Sequence, residues 1–93
     1  MDNLIFEKNN NAFEKFNDKY LVLVNVKYNT LFVYDKDVKI FWDLINEKMK
    51  LDDILDELKK LCYNLEREEV YNIIKDLSKN GLLLCNNIME DIE

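Results

Sequence analysis

Ninety-three residues allow one small domain, and 48% hydrophobic with 34% charged residues describe a chain that folds rather than one that stays disordered. The absence of histidine removes most zinc, haem and nucleophilic-triad chemistry, and a single glycine leaves no phosphate-cradling loop. A net charge of −6, with 19 acids against 13 bases and no basic run longer than Lys59-Lys60, disfavours a large phosphate-binding surface.

The first eleven residues end in Asn9-Asn10-Asn11, a loop signal, so 1–11 reads as a flexible segment in which Leu4 to Phe6 could dock on the domain. No basic stretch precedes an apolar one, as a secretory signal would require. No run approaches the ~18 apolar residues of a membrane span. The default expectation is cytoplasmic.

Ala12 to Phe16 is a weak strand signal, closed by a turn at Asn17-Asp18. Tyr20 to Val24 and Thr30 to Tyr34 are strong strands, rich in β-favouring residues, and the polar Asn25 to Asn29 between them reverses the chain. The opening is therefore a three-stranded antiparallel meander.

At Asp35 the period changes. Its carboxylate can accept from N–H groups two or three residues on. Val38, Phe41, Trp42, Leu44 and Ile45 then follow at helical spacing until the pattern fades near Lys48. Leu51, Ile54, Leu55, Leu58 and Leu61 mark a second helix. Val70, Ile73, Ile74 and Leu77 mark a third, over Glu66 to Asn80, which Gly81 ends. Leu82 to Cys85 is a closing strand or wing, and 86–93 is an acidic tail. The class is α+β and winged helix-turn-helix-like: a meander, three helices and a short C-terminal strand over 12–85.

Catalytic candidates are weak. Asp52-Asp53 and Glu68-Glu69 are adjacent helix positions whose side chains diverge, as solvated helix starts do. Ser78, the lone serine, has no histidine to activate it. Trp42 has the spacing of a core residue rather than a stacking platform. Cys62 and Cys85 lack metal-ligand spacing and read as reduced, partly buried thiols, with a disulfide between them the alternative. No catalytic residue, metal or cofactor is expected.

The 30–34 strand is the more informative feature. Leu31 and Val33 share one face, and Phe32 and Tyr34 the other, so both faces are apolar. One belongs to the core. The other faces helices or a partner. If this strand is an edge, it lacks the charge or proline that usually blunts edges, and it can accept an added peptide strand. The alternatives are that the chain's own N-terminus or a second copy covers it.

Asn25, Asp35, Phe41-Trp42, Leu44-Ile45, Ile54, Leu58, Val70, Ile73-Ile74, Leu77 and Gly81-Leu82-Leu83 follow in an order that resembles the PqqD-like family, the recognition elements for ribosomal peptide natural products. The resemblance spans about Phe13 to Leu84 and rests on ordered spacing rather than one motif. Asp35 replaces the family's usual Asn, Asn29 a turn Gly, Glu47 a Gly, Lys50 a Thr cap and Glu69 an Asp.

The resemblance implies a domain that binds the leader of a precursor peptide as an extra strand on the meander's third strand, beside the third helix. The peptide is then presented to a separate modifying enzyme, such as a radical S-adenosylmethionine enzyme, a cyclase or a leader peptidase. Carried onto this chain, the pairing strand is Thr30, Leu31, Phe32, Val33 and Tyr34. The helix wall is Arg67, Tyr71, Ile74, Lys75 and Ser78, with Arg67 and Lys75 meeting leader carboxylates and Tyr71 and Ile74 lining an apolar pocket. Competing readings are a winged-helix nucleic-acid-binding regulator, disfavoured by a third helix that sums to about −1, and a homodimer paired through the open edge.

Overall fold

The computed structural model describes residues 4–86, so the acidic tail beyond Asn86 lies outside the described residues. Strands β1 (Ile5–Lys8), β2 (Ala12–Lys15), β3 (Leu21–Asn25) and β4 (Thr30–Tyr34) lead into helix α1 (Lys36–Asp43). A two-residue strand, β5 (Met49–Lys50), precedes α2 (Leu51–Lys60), α3 (Arg67–Lys79) and β6 (Leu83–Cys85). The expected α+β arrangement of meander, three helices and C-terminal strand is present.

The meander has the order β2-β3-β4, with Phe13, Val24 and Leu31 in one cross-strand row and Lys15, Val22 and Val33 in the next. Strand alternation puts Leu21, Leu23 and Asn25 on the buried side and leaves these two rows on the other. Asn29 takes the left-handed conformation (φ 53°) that closes the β3–β4 turn.

Local chemistry sets the helix starts. The Asp35 carboxylate accepts from the Val38 N–H at 3.3 Å. Lys50 has no side-chain acceptor, and the start of α2 is held from the other direction, by Asp53 accepting from the Lys50 N–H at 3.4 Å. Glu69 does the same for the Glu66 N–H at 3.1 Å. The first turn of α2 carries Asp52 and Asp53 and its last Lys59 and Lys60, which complements the helix dipole.

Helix α1 ends at Asp43 rather than near Lys48. The Leu44 and Ile45 N–H groups fall back on the Phe41 and Trp42 carbonyls at 3.2 and 3.1 Å, tightening the last turn. This releases Met49 and Lys50 to lie extended against β1. Ile45 still reaches the core from the loop, so the apolar spacing outlasts the helix. Trp42 is buried as expected.

The N-terminal segment departs furthest from expectation. Ile5–Lys8 is the middle strand of a second sheet, ordered β5-β1-β6. Phe6 stands opposite Met49 on one side and Cys85 on the other. Leu4 and Phe6 are each only 1% exposed, and the Phe6 ring lies 5.8 Å from that of Phe41. Lys8 reaches over the Trp42 ring at 4.7 Å. Burial lowers the Lys8 pKa, against the opposing pull of Glu14 and Asp43. The docking of Leu4 to Phe6 on the domain is what is found, and it takes the form of a strand: two alternating apolar side chains and both edges of β1 are committed. The short strand β6 closes on β1, which ties the two ends of the domain together.

Asn25 joins the meander to the helices. It is 1% exposed, and its amide donates to the Asn80 carbonyl at 3.1 Å, while its side-chain oxygen accepts from the Lys27 N–H at 3.1 Å. Gly81, at φ 74°, turns the chain off α3 directly against this amide. Cys62 and Cys85 are free, and burial pushes the Cys85 thiol up to about 11.

Candidate functional site

Among the described residues only β3 pairs with β4, so β4 is an open edge. Its five residues hold no charge and no proline. Leu31 and Val33 are 55% and 58% exposed, while Phe32 and Tyr34 turn toward the core and are half-buried. The expectation of an unprotected apolar edge at Thr30–Tyr34 matches this geometry.

Tyr34 connects the edge to α3. Its hydroxyl accepts from the Asn80 amide at 2.9 Å and lies beside the Asp76 carboxylate. The Phe32 ring stacks next to it, with centroids 6.5 Å apart. Burial pushes the Tyr34 hydroxyl up to about 12; Asp76 adds to this and the Asn80 hydrogen bond opposes it. Tyr63 is also raised to about 12, first by its hydrogen bond to Asp37.

The sign of the linkage is fixed by these directions. A hydroxyl raised above its ordinary value of 10 keeps its full stabilising effect below pH 10, and loses it as pH climbs toward 12. A spectrophotometric titration is expected to show a late component in the tyrosinate signal. Tyr34→Phe should remove part of it and flatten the fall in stability over that window.

The helix residues expected to face β4 do not all do so. At about 100° per residue, α3 presents two flanks either side of its buried Val70, Ile74 and Leu77 stripe. Asp76 and Asn80 meet Tyr34, and Ile73 and Glu69 continue that flank one and two turns back. There they line a depression of 260 Å³ with Asp35, Asp37, Val38 and Leu65. Arg67 starts the opposite flank and bonds Asp52 in the first turn of α2 at 2.5 Å.

Tyr71, Lys75 and Ser78 follow Arg67 on the side away from Tyr34, with Tyr71 packed on the core and Lys75 exposed. Ile74 is fully buried and belongs to the core rather than to a pocket wall. Thr30–Tyr34 thus form the open edge, Tyr34 brings its end against Asp76 and Asn80 of α3, and Ile73 lines the depression at the start of α1. Spacing marks a stripe and its two flanks alike, and it does not say which flank turns toward a strand forty residues earlier. From the sequence Asn80 marks only a helix end. Its role depends on Tyr34, which no local pattern connects to it.

Among the described residues no helix is long and apolar enough to cross a membrane, and no group of three or more His, Cys, Asp or Glu is placed to hold a metal.

No family model matches the chain, and no curated protein matches it. Among solved structures the fold is similar to that of TbiB1 in complex with the TbiA(beta) leader peptide. The TM-score is 0.70 over 83% of this chain and 93% of that one, at 20% sequence identity. At that identity the likeness is one of fold.

Proposed function

We propose that this chain binds the leader region of a ribosomally made precursor peptide as an added strand on β4, and presents it to a separate modifying enzyme. The observation that carries the reading is the β4 edge: five uncharged residues, open to pairing, with Phe32 and Tyr34 forming an aromatic wall against the end of α3. Main-chain pairing supplies affinity in such an arrangement, and side pockets supply selectivity. The structural neighbour, a complex with a leader peptide, supports the same reading, as does the resemblance to PqqD-like domains.

In this reading the peptide contacts Thr30 to Tyr34 on one side and the Ile73, Asp76 and Asn80 flank on the other. The chain itself performs no chemistry. The enzyme it serves is of the kind that acts on leader-bearing precursors, such as a radical S-adenosylmethionine enzyme, a cyclase or a leader peptidase, and the site of action is cytoplasmic. No observation favours the nucleic-acid alternative, since α3 sets Glu68, Glu69 and Asp76 beside its bases and commits Arg67 to Asp52.

The test is binding of a synthetic leader segment from a precursor encoded beside this chain. Val33→Asp puts a charge on an exposed position of the edge, where desolvating it against a peptide is costly, and is expected to weaken binding at least about tenfold. Lys48→Asp, in the exposed loop before β5, is expected to leave binding unchanged. Equal effects of the two would remove β4 from the site.

A further inference from the structure

The outer face of the meander is apolar and uncovered. Phe13, Leu31 and Val33 are 57%, 55% and 58% exposed, and Val22 and Val24 lie between them in the two cross-strand rows. Tyr20, 49% exposed, continues this side one step before β3. Side chains exposed to this degree amount to a few hundred Å², the size of the largest patch on an ordinary monomer and often a functional one.

The charge around the patch is opposite to that of the chain. Residues 12–34 hold three lysines and two acids, in a protein whose net charge is −6. Lys15 stands within the exposed rows, opposite Val22. Lys27 lies over the exposed Tyr28 ring at the hairpin tip. Of the acids, Glu14 alternates to the inner side, where Lys39 pairs with it at 3.5 Å.

We infer that this face docks a second, different protein through an apolar surface ringed by carboxylates. A second copy of this chain fits poorly. A symmetric contact would set lysines against lysines. An anionic bilayer fits poorly as well, because three lysines attract it while the remaining acidic surface repels it. The face shares β4 with the peptide edge, so a protein docked there stands beside the bound leader. That placement rests on the proposed function; the docking surface does not.

The test places the photo-crosslinker p-benzoylphenylalanine at position 13 of the full chain, in cells that make it naturally. The crosslinked protein is identified by mass spectrometry, then purified and titrated with the wild type, Phe13→Ser and Lys15→Glu. Both substitutions are at surface positions on β2, two strands from the peptide edge. The expected result is a partner that binds the wild type, binds each variant about tenfold more weakly, and loses affinity with added salt.

Leader binding by both variants should stay unchanged, which separates this face from the peptide edge. Crosslinking to the chain itself, no crosslink, or a partner indifferent to Lys15→Glu and salt would overturn the inference. So would co-sedimentation with phosphatidylserine vesicles that Phe13→Ser abolishes.

Discussion

Phe6→Ala is expected to cost about 3–5 kcal/mol of unfolding free energy, the range for deleting a buried aromatic ring. A domain of this size holds about 5–15 kcal/mol in total, so the variant should approach the edge of stability, with a melting temperature lower by more than about 10 °C. The effect is large because Phe6 is buried in the middle strand of the β5-β1-β6 sheet and packs on Phe41. Chemical denaturation of the full chain measures it. A loss below about 1 kcal/mol would mean that β1 is a loosely attached arm.

Gly81→Ala is expected to cost about 2–5 kcal/mol, through two separable effects. The left-handed backbone at φ 74° charges a side-chain-bearing residue about 1–2 kcal/mol. The added Cβ would also meet the Asn25 amide nitrogen at 2.6 Å. Asn25 would have to move, leaving buried polar groups short of a partner at about 1–3 kcal/mol. A double-mutant cycle separates the two. With Asn25→Ala already present, the Gly81→Ala penalty should shrink to the backbone part alone. An unchanged penalty would show that the close approach has no energetic weight.

Much of the fold is legible in the residues because local chemistry and periodicity agree there. The Tyr20–Val24 and Thr30–Tyr34 runs, the Asp35 cap, the α2 and α3 stripes and the left-handed Asn29 and Gly81 each follow from a short window, and each is found, except that Leu61 of the α2 stripe lies past the helix end and is exposed. What escaped is what depends on distant partners. Leu4 and Phe6 alternate as a strand should, but four residues before an asparagine run read as a loop until β5 and β6 supply edges to pair with. The end of α1 moved for the same reason, since the apolar pattern runs on to Ile45 while Met49 is needed by β1.

The candidate site divides along the same line. The uncharged β4 stretch can be read from five consecutive residues. The flank of α3 that faces it cannot, because Tyr34 selects Asp76 and Asn80 across more than forty residues. On the proposed reading, with Arg67 paired to Asp52 and Asp76 beside Tyr34 at the end of β4, leader segments that carry apolar and cationic side chains are expected to bind better than acidic ones.

Strand addition at β4 is tested by amide hydrogen exchange with and without the leader segment, read residue by residue. New protection is expected at amides within 30–34, accompanied by shift changes at Ile73, Asp76 and Asn80. Unchanged exchange across 30–34, with perturbation confined to α1 and α2, would contradict it.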